Sequence, residues 1–136
     1  MANNASEIAI SFDRLVRLHG ELNRQMVELR GREAKGKETL AGAKRALRNI
    51  EVSILANLVV DAKNAEGRKL QQESALDQDQ RYQAQLTAIE GIELENAKTD
   101  AAIDACHREL RSTELQMQMD IAKLTNLNTP RFHREI

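Results

Sequence analysis

With one proline (Pro130), one cysteine (Cys106), no tryptophan and only Phe12, Tyr82 and Phe132 as aromatics, this chain lacks the material of most globular cores. So few aromatics argue against an aromatic-rich β core and against a stacking platform for nucleic-acid bases. A single cysteine permits no internal disulfide. No stretch approaches the roughly 18 apolar residues of a membrane span, and Met1-Ala2-Asn3-Asn4 lacks the basic-then-apolar order of a signal peptide. The expectation is a soluble, cytoplasmic protein with no membrane partner. Net charge is missing too: 20 Lys and Arg stand against 21 Asp and Glu, so overall charge names no polyanionic partner.

What is present is the vocabulary of long helices. Ala, Glu, Lys, Leu and Arg supply 68 of the 136 residues, the composition of coiled coils. Leu, Ile, Val and Phe total 32, too many for a disordered chain and too few for a thick core, which leaves apolar stripes. Two such stripes run through the first half with a spacing of seven, the repeat that keeps a helix face turned to one partner. One is Ile8, Leu15, Leu22, Leu29, Gly36, Ala43, Ile50; the other, four residues later, is Phe12, His19, Met26, Glu33, Leu40, Leu47, Ile54. Ser6 and Glu7 suit the helix start. Gly31, Gly36 and Gly42 each cost about 1 kcal/mol relative to Ala, so a bend, frayed turn or short loop at 31–42 stands open beside a continuous helix.

The second half carries Tyr82, Ile89, Asn96, Ile103, Leu110, Met117 and Leu124, again seven apart, with a wetter companion row at Leu86, Glu93, Asp100, His107, Glu114 and Ile121. Ile92, Ala97, Cys106 and Thr113 can widen this stripe. Asp77 or Asp79 would cap the helix start, and Thr129-Pro130 would end it. The spacing therefore predicts an all-α fold: a long antiparallel helical hairpin or coiled coil, one domain over 1–136, assembled into an oligomeric bundle. Arm one covers about 7–60, a connector with turns and a short helix about 61–79, arm two about 80–127, and a short tail 128–136. Arms of roughly 80 Å and 70 Å, at about 1.5 Å per residue, favour chain reversal.

Expected core and oligomer positions are Leu15, Leu22, Leu29, Leu40, Leu47, Ile54, Ile89, Asn96, Ile103, Leu110, Met117 and Leu124. An Asn in an apolar row fixes register or oligomeric state at some cost in stability, which is the role expected of Asn96. His19 reads as a satisfied, half-exposed core histidine.

Charge is divided between the arms. Residues 14–48 hold ten basic and four acidic side chains, residues 51–123 eight basic and fourteen acidic. Mutual attraction of the arms, or of subunits, is the favoured consequence. A phosphate-binding surface built from Arg24, Arg30, Arg32, Lys35, Lys37, Lys44, Arg45 and Arg48 is the sharper alternative. A third is mimicry of nucleic acid by Glu90, Glu93, Glu95, Asp100 and Asp104.

Catalytic chemistry does not assemble. Cys106 and His107 point about 100° apart on a helix, so they do not chelate one ion together. Asp100, Asp104 and His107 share a face, a trio that an Asp-rich helix produces readily by chance. There is no Gly-rich phosphate loop and no nucleophile elbow, so no enzyme, metal or cofactor is expected.

The run Lys63-Asn64-Ala65-Glu66-Gly67-Arg68, then Ala75-Leu76, Asp79, Tyr82-Gln83-Ala84-Gln85-Leu86 and a long charged helix with Leu110 near its end, resembles short coiled-coil proteins of phages and prophages. Such proteins are often encoded near recombination or single-strand-binding genes. The likeness spans roughly residues 60–125. Those relatives often carry a tighter Asn-x-Glu-x-x-Arg-like block and a Pro after the aspartate, whereas here Gly67 precedes Arg68 and Gln80 follows Asp79. The resemblance implies a setting in phage DNA metabolism and no catalytic residues. The function expected is thus a non-enzymatic interaction protein, a homo-oligomer (dimer first, tetramer next) that also binds an unidentified protein. Direct DNA binding by the basic arm and inhibition of a host nucleic-acid-binding protein by the acidic arm are the alternatives.

Overall fold

A computed structural model describes residues 4–128 of the chain. These residues form three helices, α1 (Asn4–Ala56), α2 (Ala65–Gln78) and α3 (Gln80–Asn128), and no strand. The fold is all-α. No described helix is long and apolar enough to cross a membrane.

α1 passes through Gly31, Gly36 and Gly42 in unbroken helix, so no frayed turn or loop forms at 31–42. Three glycines weaken a helix by only a few kcal/mol, which the packed face on either side of them offsets. The helix stops at Ala56, short of residue 60. Asn57 and Leu58 donate to the carbonyls of Ile54 and Leu55, three residues back, and the Asn57 side chain donates to the Ser53 carbonyl at 3.0 Å. This tightened turn uses carbonyls that would otherwise be orphaned. Ser6, expected as a cap, lies inside the helix instead.

The chain divides into two compact units: 1–31 with 101–136, and 32–100. In the first unit the start of α1 pairs antiparallel with the end of α3. Ser11 meets Asp120, His19 meets Glu114, Leu22 meets Cys106 and Arg30 meets His107. Its core is a narrow seam: Leu22, Ile103 and Cys106 are buried, while Leu15, Leu29, Leu110, Met117 and Leu124 are half-buried. In the second unit the later part of α1 pairs antiparallel with the start of α3, Gly36 against Asn96 and Ala43 against Gln85. Ile89 is buried, and Leu40, Leu47, Ile54 and Asn96 are half-buried.

The sequence rows of α1 are its inner rows. α3 differs. Glu93, Asp100, His107, Glu114 and Ile121 are exposed, and the companion row that turns inward lies three residues after the main one rather than four: Gln85, Ile92, Thr99, Cys106, Thr113 and Asp120. Both offsets produce neighbours on a helix surface; the row four residues on is the wetter flank, and Ile92, Cys106 and Thr113 widen the stripe on the inward side.

Within the second unit, α2 begins at an Asn64 cap whose Oδ1 accepts the Gly67 N–H at 2.6 Å. Gly67 belongs to the first turn of α2. A Cβ there would lie 2.9 Å from Asn64 Oδ1 and 3.0 Å from the Ala62 methyl, so its bareness lets the cap close. Gln71 ties the preceding loop to α2, accepting from the Ala62 N–H and donating to Asp61. Asp79 then separates α2 from α3 in extended conformation and caps α3 by accepting the Tyr82 N–H at 3.0 Å. The expected stop at Thr129-Pro130 lies outside the described residues.

Candidate functional site

In the first unit the inner row of α3 is polar, and each buried polar group has a partner. Thr113 returns its hydroxyl to the Glu109 carbonyl at 2.8 Å, Asp120 accepts from Ser11 Oγ at 3.0 Å, and the Cys106 thiol points to the Leu22 carbonyl at 3.4 Å. Cys106 is thereby a small buried donor, shielded from solvent. His19 is bonded through both ring nitrogens: with Asn23 Nδ2 donating to Nδ1, Nε2–H donates to Glu114 Oε1 at 3.1 Å. That arrangement satisfies the neutral ring in one tautomer. His107 accepts from the Arg30 guanidinium at 3.2 Å. Among the described residues no group of three His, Cys, Asp or Glu side chains is placed to hold a metal ion.

The same unit leaves apolar side chains outside its seam. Leu115 and Met119, 54% and 57% exposed, stand one turn apart on the outer face of α3 with exposed Ala122 next along the stripe. On α1, Val16 and Val27 flank Gly20, and Val27 is 74% exposed.

In the second unit Asn96 has a definite task. Its Nδ2 donates to the Gly36 carbonyl at 3.1 Å, and a Cβ built on Gly36 would fall within the Asn96 amide, only 2.9 Å from its Cγ. Gly36 is thus a point where the Asn96 side chain of α3 packs directly on the α1 backbone. Gln85 repeats the device without a glycine, donating to the Ala43 carbonyl at 3.0 Å. Beside the Asn96–Gly36 contact runs an open groove of about 460 Å³, with Arg32, Lys35 and Thr39 on the α1 side and Ala88, Gly91 and Ile92 among its α3 residues. Nothing in the described residues lies within 4 Å of where a Gly91 Cβ would stand.

The eight basic residues proposed for phosphates do not form one face. All are exposed, but measured from the inner rows they fall on different sides of α1. In the second unit, Arg32 and Lys35 border the groove. Lys37, Lys44 and Arg48 follow a separate ridge at intervals of seven and four, with Arg45 beside them, and none of these four forms an ion pair with a described residue. Arg24 and Arg30 belong to the first unit, where Arg30 is engaged with His107.

The Tyr82 N–H holds the Asp79 carboxyl below its ordinary value of 3.8, against the opposing effect of desolvation and with further help from Arg81.

The rows at seven marked Asn96 but not its acceptor; Thr113 entered the sequence pattern only as a side position that widens the stripe, and Gln85, Thr99 and Asp120 did not enter it. A search for polar residues three places after the main row would have found all four. No protein-family model, characterised protein or solved structure matches the chain.

Proposed function

We propose that this protein is a non-enzymatic helical assembly module that works as a homo-oligomer, a dimer first. The observation that supports it is the imbalance of apolar burial. Among the described residues only Leu22, Ile89, Ile103 and Cys106 are buried hydrophobics, while twelve large ones, Val27, Leu94, Leu115 and Met119 among them, are exposed. Scattered surface leucines are ordinary, but apolar side chains ranged along outer helix faces mark interaction surfaces. Two-fold pairing is the commonest way to cover a repeated face. The likeness of residues 60–125 to phage coiled-coil proteins supplies phage DNA metabolism as the setting, with the module bridging other components rather than acting on substrate. Sedimentation equilibrium over a wide concentration range tests this. The expected mass is a multiple of 15.3 kDa, and a constant 15.3 kDa refutes it.

Direct DNA binding has its own supporting observation, the ridge of Lys37, Lys44, Arg45 and Arg48, which form no ion pair with a described residue. About four phosphate contacts would give a log–log salt slope near −3.6 for duplex DNA. Titration of a random duplex separates the two: the assembly module shows no appreciable binding, whereas steep salt-dependent binding that the four alanine substitutions abolish favours DNA.

A further inference from the structure

We infer that the second unit's groove receives α3 of a second copy, the two α3 helices crossing antiparallel about a two-fold axis at Ala88. The inference rests on the self-association proposed above and names its surface. Along α3, Arg81, Ala84, Ala88, Gly91 and Glu95 recur at intervals of three and four, a second seam beside the inner one. Its middle is small and exposed, and Gly91 faces open space at the groove. Small residues at a helix contact let backbones approach to the short end of the usual 8–10 Å range. The ends of the seam carry opposite charges, seven residues to either side of Ala88. Antiparallel pairing about that residue sets Arg81 against Glu95 of the partner subunit, and Glu95 against the partner subunit's Arg81.

A parallel arrangement would stack like on like. The seam is therefore complementary to itself in one orientation only, which is why a second copy, not an unrelated helix, is the occupant. Present partners do not compete strongly. Arg81 reaches Asp79 at 3.4 Å and Glu95 reaches Lys98 at 3.1 Å, both pairs lying on the surface, where ion pairs contribute little. The groove's apolar floor, with Ile92 beside Ala88 and Gly91, supplies area for the incoming helix.

Charge exchange on the full-length protein tests the pairing. Arg81→Glu and Glu95→Arg should each weaken self-association about tenfold, since each sets two like-charge pairs in place of two unlike ones, and the double variant should restore it. Independently, Ala88→Cys in a Cys106→Ser background should form an intermolecular disulfide under mild oxidation, because residues on a two-fold axis meet their own copies. Gln83→Cys, on another face, should not. An oligomer indifferent to the charge variants and uncrosslinked at position 88 overturns this interface and leaves self-association standing. A wild-type protein that stays monomeric overturns both.

Discussion

Gly36 and Asn96 show how a single residue's meaning depends on what faces it. Alone, Gly36 subtracts from helix stability; opposite Asn96 it opens room for an amide to reach a backbone carbonyl. Gly31→Ala and Gly20→Ala, at sites with nothing within 4 Å, are expected to stabilise the protein by roughly 0.5–1 kcal/mol through helix propensity. Gly36→Ala should gain about 1–2 kcal/mol less, because the new methyl displaces Asn96 and breaks its hydrogen bond. Adding Asn96→Ala should recover part of the difference. Chemical denaturation of the four variants checks this, and equal gains at all three glycines would contradict it. The sequence revealed Asn96 by its place in an apolar row, but its partner is a backbone oxygen, and no pattern of side chains announces a backbone acceptor.

α2 and α3 begin through short polar side chains, Asn64 and Asp79. Asp79 starts α3, and its lowered pKa gives a sign to the pH dependence. A carboxylate favoured in the folded state contributes its full stability above the ordinary carboxylate range and loses it as pH falls through the lowered value. Asp79→Asn retains an acceptor but cannot titrate, so its stability deficit relative to wild type should shrink as pH falls below 3.8. Thermal midpoints measured at neutral and acidic pH check the direction. At α2, Asn64→Ala should cost about 1 kcal/mol of local stability, read as faster amide exchange over residues 65–78. Gly67→Ala should act the same way by crowding the Asn64 side chain. Both rows of α1 were legible because their apolar members recur without competition. The inner companion row of α3 was legible only at Ile92, Cys106 and Thr113: Gln85, Thr99 and Asp120 are polar, and their inward position follows from available hydrogen-bond partners, which hydropathy does not register.

At the scale of the whole molecule, the charge division between the arms has a modest consequence. Several α1–α3 contacts among the described residues are hydrogen bonds to backbone, hydroxyl or imidazole groups, and one acid–base pair between the helices is His19 with Glu114. Raised salt should therefore alter helix content little. The larger claim is that folding draws on burial between copies of the chain. A protein that folds only as it associates is stabilised by mass action, so its thermal midpoint rises with concentration. The most direct measurement follows the helical circular-dichroism signal on heating, at protein concentrations spanning about a hundredfold. The account predicts a midpoint that climbs steadily across that range; a midpoint independent of concentration would contradict it.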